Sequence, residues 1–260
     1  MCDLIYTIAI DRKGEFLQRN LAKLLVSSIV RSGFSGKILV IHNSNDKLFL
    51  FPREQVKEES IDFDEVGDLS VEAIWSLKHR LVNILLENSW QRLIFFDADC
   101  LVLKSLDPIL NAQWEVLICR EPGQSIVESQ FNCFLSDSEM NTLKCDGINS
   151  GVFGVQRGVA EDFFRRWSAS EKSVERRRRL CADQASLNRV ILDTNYCLFD
   201  CGPLVSMPYH PGIKSSNLRQ RCISHFVGAV GQEKLRAAFG LFMGTYFFDS
   251  RLTLFNLLES

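Results

Sequence analysis

The chain has no Cys-x-x-Cys pair, although it carries nine cysteines; the closest two, Cys197 and Cys201, have three residues between them. That spacing argues against a structural zinc site. The odd count, and the apolar surroundings of several cysteines, predict buried free thiols in a reducing compartment, hence a cytoplasmic protein. An excess of charge of one sign is also missing. The formal net charge is −2, so there is no basic field to attract nucleic acid and no acidic tail. No apolar run is long enough to span a bilayer. The first one, in MCDLIYTIAIDRKG, is short, carries an early Asp3 and lacks a basic stretch before it, so it reads as a strand. Internal repeats and flexible linkers are absent, which makes residues 1–260 a single domain. The composition, 46% hydrophobic and 24% charged, is enough for a sizeable core.

What is present is an alternation of strand and helix patterns. Residues 4–10 are β-like and residues 11–14 form a turn. Leu17, Leu21, Leu24, Leu25 and Ser28 then recur at helical spacing. SGFSG (32–36) ends that helix, and KILVIH (37–42) is a buried strand. A β-α-β unit of this kind favours a parallel sheet. Residues 52–68 are polar and acidic and read as a surface loop. Ser70 caps a helix that carries Val71, Ile74, Leu77, Leu81 and Leu85, with Lys78, His79 and Arg80 in its middle.

The stretch RLIFFDADCLVLKSL (92–106) drives an apolar strand onto Asp97 and Asp99. Two like charges at the end of a buried strand repel and are costly to desolvate, so something must compensate them. A strand follows at 115–119. Ligands of open α/β sheets bind beyond the carboxyl ends of the strands, where Asp97-Ala98-Asp99 falls. Residues 121–147 show no period and read as a functional loop. INSGVFGVQR (148–157) is a strand with two glycines, and helices follow around 159–168 and 172–192. Residues 206–224 are loop-like. The aromatic-rich end, AAFGLFMGTYFFDSRLTLFNLL, is a packing helix or an interface, which leaves a homo-oligomer open.

Several short constellations can carry chemistry. Asp97 and Asp99 offer the hard oxygen ligands that suit Mg²⁺ or Mn²⁺, or two solvated acids in a loop. Asn149, Ser150 and Gly151 offer short polar groups and close backbone approach, or a tight turn. Asp183 and Gln184 are adjacent, so mid-helix they do not share a face; solvent exposure is the default, and a helix N-terminus would let both reach a pocket. His225, in SHFVG, is either structural or the ligand that completes a metal site. ERRRR (175–179) is a solvated helix face, and Cys100 an ordinary buried thiol.

Taken in order, YTIAID, FFDADCLVL, INSGVFGV, DQASLN and HFVG resemble glycosyltransferase family eight, the group of glycogenin, galactinol synthase and the bacterial lipopolysaccharide galactosyl- and glucosyltransferases. The resemblance implies an α/β GT-A fold, Rossmann-like, with a mostly parallel central sheet flanked by helices. It implies a metal-dependent retaining hexosyltransferase that uses a nucleotide-sugar, a UDP-sugar, and a glycan, protein or small-molecule acceptor. Mn²⁺ or Mg²⁺ would sit on Asp97, Asp99 and His225, with Ala98 between the carboxylates. Thr7, Ile8 and Ala9 would lie near the base, Asn149, Ser150 and Gly151 along the sugar and phosphates, and Gly228 near the diphosphate. Asp183 and Gln184 would sit at the reacting carbon. Lys78 matches a basic residue that members carry upstream of the paired aspartates, with Arg80 close behind. Many members continue after HFVG with Lys-Pro-Trp, where this chain reads AVGQEKL; Lys234 or Lys214 is the candidate replacement. Two other readings stand beside it: a haloacid-dehalogenase-type phosphatase with Asp97 as nucleophile, and a non-catalytic nucleotide-sugar-binding protein of the same fold.

Overall fold

A computed structural model describes residues 2–11, 17–44, 48, 54–61, 71–132, 134–173, 181–208, 221–228 and 230–235. The chain opens with β1 (Leu4–Ala9), α1 (Leu17–Arg31), β2 (Lys37–His42) and β3 (Val56–Ser60). Next come α2 (Val71–Arg80), α3 (Val82–Glu87), β4 (Arg92–Phe96) and β5 (Cys100–Val102). Beyond these lie α4 (Asp107–Leu110), β6 (Val116–Ile118), β7 (Arg120–Ser125), α5 (Asp137–Thr142), β8 (Asp146–Ile148) and β9 (Val152–Gln156). The remainder is α6 (Arg157–Lys172), α7 (Ala182–Leu192), β10 (Leu198–Asp200), β11 (Val205–Ser206) and β12 (Ile223–His225).

Seven strands form the central sheet in the order β10-β6-β9-β4-β1-β2-β3. Every neighbouring pair is parallel except those made by β9, which runs antiparallel to both β4 and β6. The mostly parallel α/β architecture matches the sequence reading. Its strands are apolar on both sides because helices cover both faces. On one face Ile5, Ala9, Ile38, Val40, Ile94 and Phe96 pack against Leu21, Leu25 and Ile29 of α1. On the other, Tyr6, Leu39, Phe95 and Phe153 meet Phe163, Phe164 and Trp167 of α6 and Leu187 of α7. Phe95 and Phe153 stack at 5.1 Å, and Trp167 meets Phe153 edge-on at 4.9 Å, both favoured ring geometries.

Four expectations are corrected. Residues 56–60 are not surface loop but the edge strand β3, paired in parallel with β2; its sequence, VKEES, is polar because an edge strand is half solvated. The helix expected through Leu81 and Leu85 is two helices. Tyr6 donates its hydroxyl to the Lys78 carbonyl at 2.9 Å, the carbonyl a continuous helix would offer to residue 82. Residues 121–147 are not patternless. β7 and β8 pair antiparallel, α5 starts with a Ser136–Glu139 capping box, and Ile126, Phe131 and Leu135 form a small core of their own. The described thiols are free but not uniformly buried, since Cys197 is exposed.

No described helix is long and apolar enough to cross a membrane. The expected turn at 12–14, the Ser70 cap, the acidic stretch 62–68, the basic run 175–179, Lys214 and the aromatic-rich residues 237–258 lie outside the described residues.

Candidate active site

The antiparallel strand β9 builds the site. Because Phe96 pairs with Val152, the start of β9 meets the carboxyl end of β4. The Asp97 N–H donates to the Gly151 carbonyl at 2.8 Å, which locks the two motifs together. A second small sheet brings in the histidine. β12 runs antiparallel to β5 with His225 opposite Cys100, and the Phe226 N–H donates to the Asp99 carbonyl at 3.0 Å. His225 Nε2 then lies 3.2 Å from Asp99 Oδ1 and 3.7 Å from Asp97 Oδ2.

The last turn of α2 points Lys78 into the same place. Its Nζ is 3.2 Å from Asp97 Oδ1 and 3.1 Å from Asp183 Oδ2, and it donates to Ser150 Oγ at 3.1 Å. Ser150 Oγ in turn donates to Asp183 Oδ2 at 2.7 Å, and the Ser150 N–H donates to Gln184 Oε1 at 3.2 Å. Asp183 and Gln184 are the second and third residues of α7, and both are buried. Solvent exposure, the default reading of this pair, is therefore corrected: at a helix N-terminus two adjacent side chains reach one partner, Ser150. Trp167 holds the turn by donating to the Asp183 carbonyl at 2.9 Å. Asn188, further along the same motif, clamps α7 to β8 by hydrogen bonds to both the N–H and the carbonyl of Ile148.

Charge inside the cluster is unbalanced. Asp97, Asp99 and Asp183 face one ammonium, Lys78, so with a neutral imidazole the group carries two net negative charges. Burial pulls the Lys78 pKa down, but Asp97 and Asp183 together outweigh it and hold the ammonium above its ordinary value. Burial raises the Asp97 carboxyl and Asp99 adds to that; Lys78 only partly offsets them, leaving it above the usual carboxylate value. The Asp97 side chain is still 30% exposed, against 8% for Asp99, so it is the more open of the two carboxylates. Asp99 and His225 shift apart. Despite burial Asp99 is held low by His225, and His225 is held high by Asp99 and Asp97.

These residues fit a divalent cation. Asp99 Oδ1 is buried and makes no hydrogen bond, yet it faces the His225 nitrogen. With the imidazole neutral, as a metal ligand must be, and the carboxylates ionised, a divalent ion would carry the two positive charges that balance the cluster. Among the described residues, Asp99, Cys100 and His225 offer ligand atoms that all lie within 4.8 Å of one another. Cys100 was read as an ordinary thiol, and burial together with Asp99 and Asp97 pushes its pKa up, keeping it protonated. Thiol sulfur is a softer donor than Mg²⁺ or Mn²⁺ favours, which leaves Asp99 and His225 of that trio; Asp97 Oδ2 lies 3.7 Å from His225 Nε2.

A cleft of about 620 Å³ opens over this cluster, lined by Ile8, Trp75, Lys78, Asp97, Ala98, Asp99, Gly228 and Gln232 among others. That is the size of a small-ligand site. Of the three β1 residues expected near a base, Ile8 lines the cleft. Ala9 is packed on the α1 face, and the Thr7 hydroxyl is buried without a hydrogen-bond partner. Gly228 has φ +75°, a backbone that favours glycine, and borders the cleft. Arg80 and Lys234 are exposed; neither is among the residues that line the cleft.

Asn149 turns inward. Its Nδ2 donates to Glu121 Oε1 at 2.6 Å and its Oδ1 accepts the Gly151 N–H at 2.7 Å. Glu121, 1% exposed, was not singled out in the sequence; a carboxylate just past the apolar run VLIC was the available signal. Glu121→Ala leaves the Asn149 amide with a buried, unanswered donor, which costs about 1–3 kcal/mol. Urea unfolding of the variant checks this; unchanged stability would remove Glu121 from the support of the turn.

No protein-family model and no curated protein matches this sequence. Among solved structures, one described as the apo structure of WbbM, a bifunctional glycosyltransferase, shares the fold with a TM-score of 0.61 at 14% identity. The match covers 88% of this chain and 46% of that one, so the chain spans about half the length of its structural neighbour.

Proposed function

We propose that this chain is a metal-dependent glycosyltransferase that moves a hexose from a nucleotide-sugar, a UDP-sugar, to an acceptor with retention of configuration. One observation carries the reading: Lys78 ties Asp97, Ser150 and Asp183, from three separate motifs, into one buried cluster beneath a ligand-sized cleft. The shared fold of a bifunctional glycosyltransferase supports the coarser part, transfer of a sugar.

Asp97, Asp99 and His225 would hold Mn²⁺ or Mg²⁺, which when bound supplies Lewis-acid stabilisation of negative charge on a departing diphosphate. The other roles belong to side chains. Ile8 offers an apolar edge to a base. Gly228, without a side chain, lets a diphosphate come close. Lys78, kept charged, holds Asp97 and Asp183 in register and adds a fixed positive charge to the floor. Asp183 and Gln184 are the polar groups assigned to the transferred sugar, and Ser150 fixes the orientation of both. Water is kept off the floor by Tyr6, Phe95 and Phe153, buried beneath it.

The reading is tested by melting the protein with UDP in Mn²⁺ and in EDTA. At 100 times its Kd, a ligand that binds only the native state adds about 2.7 kcal/mol, a rise on the order of 5 °C at this size. That rise is expected with Mn²⁺ and lost in EDTA. An equal rise in EDTA would sink the metal-dependent reading. Absence of any rise, with a beryllofluoride adduct at Asp97, would favour the phosphatase.

A further inference from the structure

Asp99 presents two unlike oxygens. Oδ2 accepts a hydrogen bond from Gln232 Nε2 at 2.9 Å, whereas Oδ1 is buried, makes no hydrogen bond and lies 3.2 Å from His225 Nε2. Gln232 belongs to the helical stretch 230–235 and borders the cleft. The main chain of Asp99 is pinned by the Phe226 N–H, so the amide of Gln232 fixes what remains free, the turn of the carboxylate about its own axis.

We propose that Gln232 is a positioning residue that ties up one oxygen of Asp99, leaves the other as the cation-facing atom, and so sets which divalent ion the site accepts. The proposal rests on the metal site assigned above. Ca²⁺ takes six to eight oxygens in loose geometry and readily uses both oxygens of a carboxylate. Mg²⁺ and Mn²⁺ suit compact six-coordinate oxygen sites. A carboxylate with one oxygen held by an amide serves the smaller ions and disfavours the larger. Gln232 does this without adding positive charge, so the two-charge deficit of the cluster is preserved for the ion.

Titration calorimetry on the full chain, with Mn²⁺ and Ca²⁺ separately and with neither nucleotide nor sugar, tests it. The unsubstituted protein is expected to prefer Mn²⁺. Gln232→Leu and Gln232→Ala are expected to weaken Mn²⁺ by roughly 10–100-fold, the usual cost of losing a partner that orients a ligand. Ca²⁺ is expected to weaken less, so the Mn²⁺/Ca²⁺ affinity ratio falls, by at most roughly the 10–100-fold lost for Mn²⁺. Equal weakening of both ions, with the ratio kept, overturns the proposal and makes Gln232 merely structural. If the unsubstituted protein binds neither ion, the metal site fails first and takes the proposal with it, a result distinct from a preserved ratio.

Discussion

Lys78→Met is expected to lower stability by about 3–5 kcal/mol, because it leaves Asp183 and Asp97 without their shared cation. At this chain length that is a drop in Tm on the order of 10 °C. The Asp183 side chain is 4% exposed and contributes most, since water cannot replace the lost ammonium there; Asp97, at 30%, recovers part of its solvation. Methionine keeps most of the apolar stem packed over Phe95, whose ring centre lies 5.3 Å from the Lys78 Nζ, so the loss reports charge more than volume.

The dependence on pH separates this from a packing defect. Despite burial, Asp183 is held below the usual carboxylate value, with Lys78 the first cause and the Ser150 hydroxyl the next. A depressed carboxyl contributes stability that is fully present above its unfolded pKa, about 3.9, and lost as pH falls through its folded value. A raised lysine contributes fully below its unfolded pKa, about 10.4, and loses that contribution as pH rises through its folded value. Without Lys78, burial raises the Asp183 carboxyl in the variant. The gap between the unsubstituted protein and Lys78→Met should therefore be widest at neutral to mildly alkaline pH, shrink as acid protonates Asp183 in the variant, and shrink again above roughly pH 10 as the lysine contribution is lost. Thermal melts across that range measure it. A gap that widens towards pH 3, or a variant as stable as the parent at pH 7, contradicts the ion-paired site.

Legibility of the fold in the sequence followed the strength of the apolar pattern. β1, α1, β2, β4 and β9 are runs whose period is set by burial on one or two faces, and each was readable. β3 was not, because VKEES sits at the sheet edge and carries no alternation that water would forbid. The β7–β8 pair escaped for another reason. Its local core is three residues, Ile126, Phe131 and Leu135, too sparse to print a period. For the site, the motif letters gave Asp97, Asp99, Asn149, Ser150, Asp183, Gln184 and His225, and these converge. What joins them was legible only in part. Lys78 was named, but Glu121 and Gln232 reach the site through contacts made across 28 and 133 residues. No local pattern encodes such a contact.

Gly151→Ala is expected to cost cation affinity as well as stability. Glycine is required there by space. A Cβ on Gly151 would overlap His225 Cε1 and fall 2.7 Å from both Asp97 Oδ2 and His225 Nε2, closer than real Cβ contacts come. The backbone has nowhere to retreat, since the Gly151 N–H donates to Asn149 Oδ1 and its carbonyl accepts from the Asp97 N–H. The imidazole must therefore move, and with it the nitrogen that faces Asp99. Overpacking of this kind costs about 1–3 kcal/mol in stability, and displacement of one of three ligands should weaken Mn²⁺ binding by at least the roughly 10–100-fold typical of losing a mere supporting partner. Gly158→Ala is the control: nothing lies within 4 Å of a Cβ at that position in α6, and alanine there should raise stability by about 0.5–1 kcal/mol with Mn²⁺ binding untouched. If calorimetry finds Gly151→Ala and Gly158→Ala binding Mn²⁺ alike, His225 does not face the ion. If only Gly151→Ala fails, the glycine after Asn149 and Ser150 exists to admit the histidine, and the turn it makes is a consequence of that need.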